Sequence, residues 1–242
     1  MEKTKNSENH AFIEQPNKTL ILLSIPVLFS LVAEPITGLV DTAFIAQLGA
    51  VPLASLGVGT VALSSIFWIF NFLGIGAQTE VAHSLGKQDR YGAVKASSLA
   101  LALSVLFGAM MFMIGFPVAT TVAGLLGAEG DVLLNATQYI QVRLFAAPAV
   151  LITFTGFGVL RGMQDMKTPL WIAVGINVLN IVLDYPFIFG FGVIPAMGVA
   201  GSALATAIAQ WLGVIWTLWA IGQKLGYTRD IHWNEALKLI QI

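Results

Sequence analysis

Residues 96–128 read ASSLALALSVLFGAMMFMIGFPVATTVAGLLGA, 33 consecutive positions without a charged side chain. A bilayer span needs about 20 predominantly apolar residues, so this stretch is long enough to cross a membrane. Working outward from it, the pattern recurs. The interval between Asp41 and Glu80 holds 38 uncharged residues, and 185–223 holds 39 more. Hydrophobic residues make up 57% of the chain and charged residues 10%, with a mean hydropathy of +0.81. A soluble surface needs roughly a quarter of its residues charged, so this chain cannot cover itself in water. The reading is an all-α integral membrane protein. A net charge of −1 removes the electrostatic case for nucleic acid. The absence of cysteine excludes disulfides, thiolate metal sites and cysteine nucleophiles.

Turn signals divide the longer blocks. Gly49-Ala50-Val51-Pro52 splits the first and the Gly190 to Pro195 stretch splits the last. Six transmembrane helices are expected, at 18–47, 53–80, 93–118, 136–160, 169–189 and 197–222, with 119–128 a short irregular or interfacial piece after Pro117. This makes 1–17 a polar cytoplasmic arm, 18–222 the six-helix lobe, and 223–242 a cytoplasmic or interfacial connector. Within the connector Trp233, Leu237 and Ile240 have the spacing of an amphipathic surface helix.

Lys3, Lys5, Lys18, Lys87, Arg90, Lys95, Arg161, Lys167, Lys224, Arg229 and Lys238 all fall in the arm, in alternate turns or in the tail, which is 11 of the 12 Lys and Arg. By the positive-inside rule both termini are expected to be cytoplasmic and the Glu129 to Asn135 loop external. The twelfth cation, Arg143, lies inside the fourth helix near its expected outer end. The first apolar segment contains Glu34 and Asp41 and lacks a small-residue cleavage site, so it reads as a span, not a signal peptide.

Charges inside spans cost roughly 2.5–3.5 kcal/mol each on insertion scales and are functional hypotheses by default. The deep ones are Glu34, Asp41, Arg143 and Asp184. Glu34 and Asp41 are seven residues apart and so share a helix face. Pro26 and Pro35 each remove a backbone hydrogen bond from the same helix, which makes it the element expected to bend. On the fifth helix Asn177, Asn180 and Asp184 form a polar stripe; Thr206 and Gln210 pair on the sixth, Tyr139 and Arg143 on the fourth. For Asn177 and Gln210, interhelical hydrogen bonding is the preferred account.

The two aspartates share a local pattern. Asp41 is followed by Phe44, Ile45, Gly49 and Pro52, and Asp184 by Phe187, Ile188, Gly192 and Pro195, at equal offsets. Both helices are expected to run outward, so at 1.5 Å per residue both aspartates lie about 12 Å below their outer ends. They can therefore belong to one site. Two carboxylates in low dielectric cannot comfortably both be ionised, which suits a proton carrier. Asp41, Asn180, Asp184 and Thr206 equally supply hard oxygen ligands for Na⁺. A structural ion pair with Arg143 is the remaining alternative. Enzymatic readings lack residues: His10, His83 and His232 lie outside the spans, and neither G-x-S-x-G nor H-E-x-x-H occurs. No cofactor is expected.

At these positions the chain resembles the multidrug and toxic compound extrusion (MATE) family, DinF-like branch. The resemblance is carried by Glu34-Pro35-Ile36-Thr37-Gly38-Leu39-Val40-Asp41-Thr42-Ala43-Phe44-Ile45 with Leu48-Gly49, by Arg161-Gly162-Met163-Gln164-Asp165-Met166-Lys167-Thr168-Pro169, and by Asn177 through Asp184 with Gly198 to Gln210. It runs from about Leu20 to Gly222. It implies one lobe of a MATE-like transporter in the plasma (inner) membrane, exporting small organic cations or amphiphiles in exchange for H⁺ or Na⁺. It also implies that the cation site falls on Asp41, Asn180, Asp184 and Thr206. Tyr139, Glu34, Asn177, Arg143 and Gln210 would line the cavity or support the site, and Pro26 and Pro35 would be the hinge. The family has two six-helix lobes, so a second lobe is expected as a missing continuation or another chain, a fragment being favoured over a homodimer. The alternatives are a flippase of a related lipid-linked substrate family and a non-transporting membrane subunit.

Overall fold

The computed structural model describes residues 16–228, omitting within the first helix the side chains of nine residues, Pro26 and Glu34 among them. The hinge role of Pro26, the site role of Glu34 and the amphipathic segment at Trp233, Leu237 and Ile240 therefore lie outside the described side chains. Among the described residues the chain forms eight helices: α1 Pro16–Ala46, α2 Ala50–Ile69, α3 Asn71–Gly86, α4 Arg90–Leu125, α5 Gly130–Leu144, α6 Ala147–Gly162, α7 Lys167–Phe189 and α8 Gly198–Lys224. No strand accompanies them beyond one isolated bridge, Phe191 to Ile194.

Several of these helices are parts of one rod. α2 and α3 follow each other with only Phe70 between them and together make one 37-residue apolar stretch. α5 and α6 form a second broken rod, bent by 52° at Phe145 and Ala146. Pro148 explains the bend. It lacks an N–H and its ring crowds the carbonyl of the residue four earlier, which favours a bend here in the helix expected over 136–160. Four stretches are long and apolar enough to cross a membrane, five with the bent pair, and α1 adds the apolar segment Pro35–Ala46.

Two further boundaries differ from expectation. α4 does not stop at Pro117 but continues to Leu125. Ala119 and Ala123, both buried, pack this last part against the bundle, and neighbouring helices let a membrane helix tolerate an internal proline. The next helix begins at Gly130, not 136, so the turn between them is 126–129. The earlier start places Arg143 about 20 Å inside its helix at 1.5 Å per residue, deeper than the sequence boundaries implied.

The turns sort onto two ends. Ser55 Oγ donates to the Val132 carbonyl (3.3 Å), and Leu48 lies against Gly198, which gathers the starts of α2, α5 and α8. At the opposite end Arg90 Nη2 donates to the Lys224 carbonyl (2.9 Å), and the Thr228 amide donates to Ser98 Oγ (3.1 Å). There Lys224 forms an ion pair with Asp165 and donates to Thr168 Oγ1 (2.8 Å). Asp165 also caps α7 through the Thr168 amide (3.0 Å). Burial alone would push the Asp165 carboxyl up, but the hydrogen bonds from Lys224 and Thr168 hold it below its ordinary value.

Small residues set how closely the rods approach. A Cβ at Gly158 would overlap the Gly74 carbonyl of α3, so α3 and α6 touch backbone to backbone. Such contacts are the usual means of close helix association where the hydrophobic effect does not drive it. α7 packs against both α1 and α8.

Candidate functional site

α1 and α7 run side by side, with Phe44 meeting Phe189 edge to face at 6.1 Å. The shared spacing noted in the sequence has structural counterparts: Ile45 and Ile188 are fully buried, and Gly49 (φ 111°) and Gly192 (φ 60°) both turn the chain in the region that favours glycine. Equal offsets from those turns bring Asp41 and Asp184 to matching depth. Asp41 is 9% exposed and Asp184 fully buried. The two carboxyls are buried on adjoining helices, α1 and α7. Two carboxylates buried near each other in low dielectric cannot comfortably both be ionised.

Asn180, one turn before Asp184, is also buried, and its Nδ2 donates to Thr206 Oγ1 on α8 (3.1 Å). Thr206 in turn donates to the Ser202 carbonyl (3.0 Å). Asp41 Oδ1, both Asp184 oxygens and Asn180 Oδ1 are buried with no protein donor. The four residues expected to form a cation site are thus gathered in one place. Arg143 acts on both aspartates electrostatically, yet among the described residues no ion pair joins it to either. Its Nε and Nη1 meet no acceptor. The structural ion-pair alternative is therefore not what is seen.

The remaining expected residues belong to a different feature. Tyr139, Arg143, Asn177 and Gln210 line a cavity of about 370 Å³; Asp41, Asp184, Asn180 and Thr206 do not. Asn177 Nδ2 donates to the Ala173 carbonyl of its own helix (2.8 Å), and Gln210 Oε1 is buried without a partner. The preferred account of these two amides, bonding between helices, does not hold. Tyr139 is seated by Gly59, where a Cβ would overlap its ring. Pro35 is exposed on α1, which is one continuous helix through positions 26 and 35.

The cavity also contains residues that the sequence reading passed over: Asn71, Gln78, Thr153 and Arg161. Arg161, expected in the loop after 160, closes the last turn of α6 and stacks on Phe157, 5.9 Å from the ring centre. Asn71 and Gln78 are seven residues apart, on one face of α3, and that period was the available signal.

A bundle of apolar rods holding a buried carboxyl pair beside a polar cavity is the architecture of a membrane transporter lobe. The MatE family profile matches residues 26–186, and the chain belongs to that family. It is 32% identical over 202 residues to the DNA damage-inducible protein F of Escherichia coli, covering 83% of this chain and 43% of that protein. It is 26% identical over 206 residues to the probable multidrug resistance protein NorM of Thermotoga maritima, again 83% of this chain and 43% of that one. Among solved structures it superposes on a MOP superfamily transporter from Pyrococcus furiosus with a TM-score of 0.83 at 26% identity, covering 94% of this chain and 51% of that chain. The chain spans about half the length of the relatives it matches.

Proposed function

We propose that this chain is the amino-terminal lobe of a cation-coupled exporter of organic compounds, in which Asp41 and Asp184 carry the coupling ion. One observation carries the reading: two buried carboxyls on adjoining helices, with oxygens that no protein group satisfies. Buried polar groups are otherwise almost always paired, so these oxygens await a ligand. A shared proton meets that need. Na⁺ is the alternative, held by Asp41, Asn180, Asp184 and Thr206, whose oxygens suit a hard cation. The cavity at Tyr139, Arg143, Asn177 and Gln210 would hold the exported compound, with a second six-helix lobe closing the pathway.

In this reading the end that carries Arg90, Arg161 and Lys224 faces the cytoplasm, and α1, with Pro26 and Pro35, is the part that moves. Ion binding can shift the lobe only by its differential affinity for two conformations. The test is export from proteoliposomes by the complete transporter. Asp41→Asn should stop cation-driven export without preventing insertion. Normal export against a gradient by both Asp41→Asn and Asp184→Asn would refute the assignment. Single cysteines at Asp131 and Gln88 should label from opposite faces of intact cells; labelling from one face would overturn the topology.

A further inference from the structure

The rod made of α2 and α3 is held very unequally along its length. α3 is fixed on two sides: it packs against α4 and α6, and Gly158 of α6 lies on its Gly74 carbonyl. α2 is not. Among the described residues its packing is extensive with α5 alone and slight with every other helix. The contact with α5 centres on Gly59, which offers the Tyr139 ring a stretch of bare backbone. The two halves of the rod meet at Phe70. There the Phe70 amide donates to the Phe67 carbonyl and the Leu73 amide to the Phe70 carbonyl, both at 3.1 Å and both to the third residue back. Such tightened turns within a rod are a common mark of a hinge. The Phe70 ring is seated against Phe107 of α4, with centres 5.6 Å apart.

α2 also has a space on each side. Leu63, Ser64 and Phe67 face the polar cavity described above. Ala62, Ile66 and Phe70 face a second, apolar space of about 240 Å³, whose opposite wall is α4 from Met110 to Val122, with Ile140 and Leu144 of α5. Protein interiors are ordinarily packed without such gaps, so a helix with a gap on both faces loses few contacts by moving. Met110 and Ile114, which line the apolar space, are also exposed. Lipid chains can therefore enter and leave it as its volume changes. We propose that α2 is a hinged wall, turning about Phe70 on the face of α5, so that the polar cavity widens as the apolar space closes. The purpose of the motion rests on the cavity assignment above; the motion itself is a property of the lobe.

The test is a pair of spin-label distances in the full transporter, freed of any other cysteine and held in nanodiscs. The moving pair is Leu53→Cys on α2 with Leu125→Cys on α4; the control is Ala82→Cys on α3 with the same Leu125→Cys. All three positions are exposed. Leu53 is about 25 Å from the hinge at 1.5 Å per residue, so a turn of about 10° moves it by about 4 Å. Across pH 5 and pH 8, each with and without Na⁺, the Leu53–Leu125 distance should show two populations that differ on this scale, while Ala82–Leu125 holds one. A single unchanged Leu53–Leu125 distance in all four conditions, or equal shifts in both pairs, would overturn the proposal, and neither result depends on altering the core. Ala62→Leu combined with Ala119→Leu fills the apolar space from both walls and should leave only the longer Leu53–Leu125 distance. Retention of both populations in that variant, inserted and melting as the wild type does, would also overturn it. Two populations in a transporter whose aspartate variants export normally would remove the ion assignment and leave the hinge standing. A fixed α2 in a transporter that Asp41→Asn silences would do the reverse.

Discussion

The acid pair and the cavity are neighbours built on opposite principles. Asp41, Asp184 and Asn180 are closed off from solvent and hold oxygens with too few donors. The cavity is open, roomy and lined by nitrogen donors that include two arginines. One region lacks positive charge and the other lacks negative charge. Arg143 lies between them: it lines the cavity and acts electrostatically on both aspartates. On the proposed reading, Arg143 is the residue through which the ion site and the substrate site would sense each other. Coupling of this kind is reciprocal in binding free energy.

The largest effect should come from separating the two regions. Asp184→Asn should reduce ion-driven export to background, while binding of an exported compound to the cavity persists. Loss of both together would mean that the two regions are one site. Next in size is the shared scaffold. Gly158→Leu forces a side chain into the Gly74 carbonyl, and such overpacking costs about 1–3 kcal/mol. Thermal unfolding in detergent should fall accordingly, with both functions weakened in step.

A smaller and more local change tests the acid side alone. Asn180→Ala removes the hydrogen bond to Thr206, worth about 0.6 kcal/mol by the average for bonds between membrane helices. Stability should change little, yet the ion dependence of export should shift markedly if Asn180 is part of the ion site. An unchanged ion dependence would confine the site to the aspartates. The smallest effect on export is expected at the Asp165–Lys224 ion pair, outside both regions at the end of the bundle that carries Arg90, where Lys224 is 45% exposed. Asp165 is held below the ordinary carboxylate value, so its contribution is present above that value and is lost as pH falls through the lowered one. Asp165→Asn should cost at most about 1 kcal/mol at neutral pH and should flatten the acid limb of the stability profile. Measured thermal midpoints between pH 3 and 7 would check both.

The site was partly legible before any coordinates. The matched run after Asp41 and Asp184 implied equal depth because each helix rises by the same amount per residue from its loop glycine. The cavity was less legible. Arg143 stands out as a charge inside a span, whereas Arg161 falls one residue past the expected helix end at 160, and a helix end cannot be read to better than a few residues. Asn71 and Gln78 carry no charge and so attracted no notice. Gly59 and Gly158 were invisible for another reason: nothing local distinguishes a glycine that seats a tyrosine ring from one that merely sits in a helix.

By itself, the sequence determined the solvent in which this chain folds, because 57% hydrophobic and 10% charged residues leave no soluble arrangement. It also determined the helical rods and the few positions where polar atoms enter them, since hydrophobic period and length are properties of neighbouring residues. Only the tertiary structure decided which polar residues meet. Asp41 and Asp184 are separated by more than half the chain, and Asn180 reaches Thr206 across a helix interface. It also decided that Asn177 and Gln210 face a cavity and not a neighbouring amide. The physical reason is that rotation of one rod against another is set by side-chain packing at contacts such as Gly158 on Gly74, and that information is distributed over residues far apart in the chain.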